Sequence, residues 1–221
     1  MPRTTRARDP EKNRDGILAA ALEEFARYGL GGARVDRIAA RAGANKRMLY
    51  YYYRDKDNLF LAALERCYSR IRAAERTLDL EHLEPRAALR RLVEFTWDYF
   101  LEHPEFLTLL NSENLHKGRH VRRSRNVPRM HTPLVESLRG LLQRGERLRV
   151  FRRGIDPVQL YISIAGEGYF YLSNRYTLSQ IFGRDLMTRQ ALAERARHMA
   201  EMILHAVGAS TPPRRNRIVK S

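Results

Sequence analysis

Apolar residues along the chain recur at three- and four-residue steps instead of alternating, and glycine and proline cut the pattern into helical lengths. Asp9 and Pro10 have the residue types of an N-cap and a first helical position. Ile17, Ala21, Leu22 and Phe25 then share one stripe, which ends at Gly29 and the loop GLGG, 29–32. Two short helical segments follow, VDRIAARAG at 35–43 and ANKRMLYYYY at 44–53. Asp55 is placed to cap a longer helix with Leu59, Phe60, Ala63, Leu64 and Cys67 on one side. Pro85 opens a helix on which Leu89, Leu92, Val93, Thr96, Trp97 and Phe100 share a face, and Pro104 separates it from EFLTLLNSENL. Pro133 reads as the start of PLVESLRGLLQRGERL, and Asp156 with Pro157 as the start of VQLYISIAGEGYFYLSNRYTL. The last helix is expected from Asp185 to Val207, with Leu192, Ala196, Met199, Ile203 and Val207 in register. The pattern predicts about nine helices and no sheet, an all-α fold.

Length and charge narrow the function. A chain of 221 residues suits one or two domains with a buried core. It carries 41 Lys and Arg against 25 Asp and Glu, a formal net charge of +16. That balance favours acidic partners, nucleic acid first and an anionic membrane surface second, although a solvated basic surface fits the charge equally well. The excess is uneven. KGRHVRRSRNVPR, 117–129, holds Lys117, Arg119, Arg122, Arg123, Arg125 and Arg129 and no acid, and the proline-containing tail PPRRNRIVKS, 212–221, is equally one-sided and is expected to be disordered.

The chemistry-bearing residues exclude more than they offer. Cys67 stands alone, so no internal disulfide is possible and a reducing, cytoplasmic setting is expected. The N-terminus lacks the apolar core of a secretory signal, and no run of about 18 apolar residues could span a bilayer. The His residues are scattered, no glycine-rich phosphate loop follows a strand, and Cys67 has no evident base. No catalytic site and no cofactor are expected. Glu113, His116 and His120 have spacings that one helical face could use for a metal. Gly118 interrupts that helix and the neighbouring charges are positive, so a phosphate-facing or solvated basic loop is the expectation and no metal is assigned.

The informative stretch is RVDRIAARAGANKRMLYYYYRDKDNLF, 34–60. Two helices of about eight residues joined at Gly43 have the layout of a helix-turn-helix, whose second helix enters the major groove. Ile38 and Leu49 can face a small core made with the first helix, and Ala39 and Ala42 are small enough for the two helices to cross closely. Four consecutive tyrosines, Tyr50 to Tyr53, cannot share one face when successive side chains are about 100° apart.

The stretch resembles the DNA-binding segment of TetR-family transcriptional regulators, whose pattern is T-V-x-x-I-A-x-x-A-G-V-S-x-x-x-L-Y-x-Y-F-x-x-K-x-x-L. Val35, Ile38, Ala39, Ala42, Gly43, Leu49, Tyr50, Tyr52, Lys56 and Leu59 stand where that pattern requires them. Arg34 replaces the usual threonine, Ala44 and Asn45 replace Val-Ser, and Tyr53 replaces phenylalanine. The match covers about residues 10–65; beyond it the shared feature is a body of longer helices. IDPVQLYISIAGEGYFYLSNRYTLSQIFG is similar to the corresponding region of the branch containing the pyrimidine-utilisation repressor, without implying a pyrimidine ligand.

The resemblance implies four segments: a basic flexible arm at 1–8, a helix-turn-helix DNA-binding domain at 9–54, an effector-binding and dimerisation domain at 55–208, and a disordered basic tail at 209–221. It implies DNA contacts from Arg34, Asn45, Lys46, Arg47, Met48, Tyr50, Tyr51, Tyr52 and Lys56. Arg47 and Met48 hold the positions for reading bases, with a plain phosphate contact as the alternative role for Arg47. Tyr50 and Tyr51 are expected to face the duplex, Tyr52 to lie at its margin, and Tyr53 to be buried with its hydroxyl satisfied at the rim. The arm could enter an adjacent minor groove or remain a free tail. The last two long helices are the family's dimerisation pair, and a small-molecule effector usually releases the dimer from a pseudo-palindromic operator. Trp97, Phe100, Asn111, Asn114, Tyr169, Phe170 and Asn174 mix aromatic faces with amides and are candidate pocket walls, though each could equally be core. Gly166 and Gly168 interrupt a helix, for close packing or for ligand space. A ligand-dependent activator, or a non-specific binder of nucleic acid or membrane surface, would share much of this pattern. The operator, regulated genes and effector are not legible in it.

Overall fold

The computed structural model describes residues 10–209, and among them it has helices, turns and no strand. The expected arm, the Asp9 cap and residues 210–221 lie outside the described residues. Helices α1 (Pro10–Gly32), α2 (Val35–Arg41) and α3 (Lys46–Tyr53) form a head. Helix α4 (Lys56–Glu75) leads from it into a body of α5 (Pro85–Glu102), α6 (Pro104–Leu115), α7 (Asn126–Arg147), α8 (Pro157–Ser173), α9 (Arg175–Phe182) and α10 (Arg189–Val207). Two short 3-10 turns, Arg76–Leu78 and Val121–Arg123, lie in the connections.

Side-chain caps set several of the helix starts. Asn45, Asp55 and Asp156 each accept a hydrogen bond from the backbone N–H three residues on, at 2.8, 2.7 and 2.8 Å. Gly29 has φ 62° and ψ −179°, so the regular part of α1 ends there and one further turn reaches Gly32.

Three boundaries differ from the periodicity reading, and the described residues form ten α-helices instead of nine. Helix α7 begins upstream of Pro133, because Ser124 Oγ accepts from the N–H groups of Asn126 and Val127, both at 3.1 Å, and so starts the helix early. Pro133 then lies inside the helix, at the cost of one backbone hydrogen bond. The stretch 157–178 is two helices, broken at Asn174, whose side-chain amide turns back to donate to Phe170 O at 2.9 Å. Helix α10 starts at Arg189 and not at Asp185, because Thr188 Oγ1 accepts from Ala191 N–H at 3.2 Å.

The expected apolar faces meet in one cluster that runs through head and body. Ile17, Phe25, Ile38, Leu49, Leu59 and Phe60 are fully buried in the head, and Leu89, Val93, Trp97, Leu138 and Met199 are buried in the body. Cys67 is buried in α4, and burial pushes its thiol pKa up to about 12. Two glycines mark close approaches. A Cβ on Gly168 would lie 3.3 Å from Phe100 and 3.6 Å from Trp97, whereas one on Gly166 would meet nothing within 4 Å. Gly145 sits under the ring of buried Phe151, whose Cδ2 would be 2.0 Å from an added Cβ. The segment at Phe151 also pairs with the end of α10, through an antiparallel bridge to Gly208 in which Arg152 N–H donates to Val207 O at 2.9 Å.

The head depends on one buried acid. Glu24, on α1, is fully buried and accepts from Arg37 Nε at 2.6 Å and from the Arg34 N–H at 3.0 Å, with Arg41 at 3.7 Å. Burial by itself would raise its pKa, but the Arg37 and Arg34 hydrogen bonds and the charges of Arg37 and Arg41 hold it below the ordinary 4.5. A carboxylate with a depressed folded pKa adds stability above its ordinary value, and that stability is lost as pH falls through the depressed value.

Two outcomes are expected. Gly145→Ala forces Phe151 out of its seat and lowers stability by about 1–3 kcal/mol, read as a fall in the denaturant midpoint. Glu24→Gln costs about 1–3 kcal/mol at pH 7. It also flattens the loss of thermal stability that the parent chain shows as pH drops below 4.5.

Candidate nucleic-acid interface

Helices α2 and α3 are joined by a tight turn in which Gly43 has φ 59°, a left-handed value suited to glycine. Ala44 N–H closes the end of α2 on Ala39 O at 3.0 Å, and Asn45 then caps α3. Ile38 and Leu49 fill the space between the pair and α1. Helix α3 therefore has a narrow inner face, Leu49 and Tyr53, and a wide outer one. Tyr53 is buried and its hydroxyl donates to Arg14 O at 2.9 Å, which ties α3 to α1.

The remaining residues of α3 point away from the core. Arg47 is exposed, Met48 half-buried, Tyr50 45% exposed and Tyr51 80% exposed. Tyr52 is half-buried against the core, its ring edge-on to Tyr51 at 5.2 Å. Lys46 is exposed and ion-paired with Asp36 of α2. Arg34 is exposed at the start of α2, where no side chain caps the helix and its N–H is taken by Glu24. Lys56 is half-buried at the first residue of α4, and burial holds its pKa below the usual value. The nine predicted contact residues thus lie on α3 and on the starts of α2 and α4. Between Arg34 and Arg54 the only acid is Asp36, against Arg34, Arg37, Arg41, Lys46, Arg47 and Arg54. Phenol hydroxyls, a guanidinium and an ammonium on one convex helix suit phosphate and base-edge contacts.

The connector after α6 is latched to the start of α4. Arg119 Nη2 donates to both carboxylate oxygens of Asp57, at 3.1 and 3.0 Å, and Arg123 Nη2 donates to Asn58 Oδ1 at 2.7 Å. His120 is fully buried, with Nδ1 2.5 Å from Glu113 Oε2, and its ring meets Phe60 at 4.9 Å. Glu113 Oε1 also accepts the N–H groups of His120 and Val121, at 2.8 and 2.9 Å. This corrects the expectation of a solvated or phosphate-facing loop at Glu113 and His120. Both are buried and hydrogen-bonded to each other, while half-buried His116 uses Nδ1 on Ser112 O at 2.7 Å. Among the described residues, no group of three or more His, Cys, Asp or Glu side chains could hold a metal ion.

The seven suggested pocket residues do not share one environment. Trp97 and Phe100 are core, and Gly168 packs against both. Tyr169 donates to Asn111 Oδ1, linking α8 to α6. Asn114 and Asn174 return their amides to Leu110 O and Phe170 O of their own helices, at 2.9 Å each, and Phe170 is 60% exposed.

The sequence does not single out Glu24, and it groups Glu113 with His120 without their buried pairing. Glu24 carried a signal, since it stands beside Phe25 on the buried side of α1, where an acid needs a partner. The seven-residue spacing of Glu113 and His120 suggests one helical face, but the helix ends at Leu115, so their direct contact and burial are not legible in it.

Residues 17–63 match the family model for bacterial regulatory proteins of the tetR family, and residues 85–203 match the tetracyclin repressor-like C-terminal domain. The chain is 40% identical over 202 residues to the HTH-type transcriptional repressor NicS of Pseudomonas putida, covering 91% of this chain and 95% of that one. It is 30% identical over 110 residues to the HTH-type transcriptional regulator RutR of Escherichia coli, about half of each chain (50% and 51%). In fold it is similar to the fatty acid degradation regulator FadR of Bacillus halodurans, with a TM-score of 0.67, 18% identity and coverage of 90% of this chain and 97% of that one. With both halves matched in order and the outward face of α3 as described, the chain belongs to the TetR family of DNA-binding transcriptional regulators.

Proposed function

We propose that the chain acts as a homodimeric repressor that a small molecule releases from a pseudo-palindromic operator. Residues 9–54 read the DNA, and residues 55–208 bind the effector and form the dimer. The observation that carries the reading is the outer face of α3, where Arg47, Tyr50 and Tyr51 stand exposed on a helix whose inner face is closed by Leu49 and Tyr53. Arg47 meets base edges with Met48 beside it. Tyr50, Tyr51, Tyr52, Lys46 and Lys56 hold phosphates and sugars, and Arg34 and Asn45 add contacts where α2 and α3 begin. The relatives named above as repressor and regulator support this role.

Dimer formation is supported by α8. Val158, Ile162 and Phe170 are 44, 54 and 60% exposed at four-residue steps, with Gly166 open between them. A protomer that stayed alone would leave this stripe in water. Packed against its mate together with the outer face of α10, where Met202 is also exposed, the stripe completes a four-helix bundle. Two α3 helices held in this way can meet half-sites about 34 Å apart.

Selection of bound fragments from random-sequence duplex tests the reading, with an enriched two-fold site expected and no enrichment sinking it. On the selected site, Arg47→Ala costs about 1–3 kcal/mol of discrimination against a scrambled duplex. An equal loss on both duplexes assigns Arg47 to phosphate instead. Ile162→Asp puts a charge into the dimer stripe. Sedimentation is then expected to give the protomer mass, and operator affinity to fall by a factor on the order of 100 or more as the second half-site is lost.

A further inference from the structure

Helices α4 and α7 and the loop 79–81 border an open cavity of about 350 Å³ whose lining includes Arg72, Leu80, Met130 and Leu134 and three acids, Glu75, Asp79 and Glu81. Past Arg72 it continues into a second space of about 300 Å³, where Arg76, Arg129 and Asn126 form the rim and no acid is present. Arg72 borders both spaces and is only 4% exposed. Its Nη2 is engaged, by Glu75 Oε1 at 2.9 Å and by the Tyr161 hydroxyl at 3.2 Å, while Nε and Nη1 are buried without a hydrogen-bond partner. A guanidinium left half-satisfied away from water is unfavourable unless something else completes it.

Taking the chain as a ligand-released regulator, we propose that this groove is the effector site and that it takes a small organic carboxylate, bound by the free N–H groups of Arg72. Guanidinium donors match the oxygens of one carboxylate in a planar fork. Leu80, Met130 and Leu134 offer an apolar wall for the rest of the molecule, and the combined volume fits a compound of modest size. A dianion such as phosphate is disfavoured because Glu75 stands beside the same guanidinium and Asp79 and Glu81 line the first space. A monoanion is tolerated where Arg72 borders the acid-free second space beside Arg76 and Arg129, and burial pushes the neighbouring Glu75 carboxyl up to about 7. Tyr161 lies with its ring 5.3 Å from the Arg72 guanidinium carbon and keeps that face of the cation covered. His131 packs between Tyr68 and Tyr161, and burial lowers its pKa, so it adds no competing positive charge at neutral pH. Position gives the site its leverage. Helix α4 carries Arg72 near one end and Lys56 at the other, so a molecule wedged against α7 acts on the helix that supports the reading head.

Isothermal titration of the full-length protein tests this, with benzoate as the probe and benzamide, hexanoate and inorganic phosphate beside it. Benzoate and hexanoate are expected to bind once per protomer, and benzamide and phosphate about tenfold or more weaker than benzoate. The double variant Arg72→Gln, Glu75→Gln removes both charges together, and it is expected to lose benzoate by about tenfold or more while its circular dichroism melt stays cooperative. Should that variant fail to fold, the comparison of benzoate with benzamide and phosphate on the parent chain decides. The proposal is overturned if neither carboxylate binds, if benzamide or phosphate matches benzoate, or if the folded double variant binds benzoate as the parent does. None of these measurements uses DNA. A failed titration beside a selected two-fold duplex site removes the carboxylate site alone, and a successful titration with no selected site removes the operator reading alone.

Discussion

The two halves of this protein share one buried aromatic ring. Phe60, in the second turn of α4, is fully buried and meets Phe25 of α1 edge-on at 5.1 Å and the imidazole of His120 at 4.9 Å. The three-helix head has too little apolar surface to close its own core, so α4 completes it, and the body reaches the same ring from the other side. The direction of α3 is therefore set by packing that involves α1, α4 and the connector at once. Whatever tilts α4 also turns the outer face of α3, because only Arg54 and Asp55 separate the two helices and Asp55 is fixed as a cap.

That coupling is reinforced by charge. Glu113 receives three hydrogen bonds from the connector, and Arg119 and Arg123 grip the first turn of α4. These contacts join the body to the helix start that carries Lys56. A body that changes shape through α6 or α7 has a direct route to the head, made of the buried Glu113–His120 contacts and the exposed hydrogen bonds of Arg119 and Arg123.

The helices and their buried faces were legible in the sequence because each depends on local spacing. Ile38, Leu49, Leu59 and Phe60 were placed inward by periodicity alone, and Tyr53 was placed inward by resemblance. The outward set on α3 followed from the same 100° step. Boundaries failed where a side chain outside the apolar pattern set the helix end: Ser124 started α7 ahead of Pro133, and Asn174 divided α8 from α9. The polar interior failed for a different reason. Glu24 with Arg37 and Arg72 with Tyr161 are pairings between elements, whose separations of 13 and 89 residues carry no periodic signal, and Glu113 meets His120 across a helix end that the helical spacing does not show. Residue type alone does not distinguish Trp97, which fills the core, from a residue that lines a space.

The pairing of Lys46 with Asp36 changes what that lysine can contribute. An anion that takes the Lys46 ammonium must first displace a carboxylate belonging to the neighbouring helix, so the gain is the difference between two exposed ion pairs of similar strength. Lys46 thus works by exchange, and its attraction for a polyanion is weaker than that of an unattached lysine. Arg47, one residue along with no such resident counter-charge described, keeps its full positive charge for whatever lies opposite.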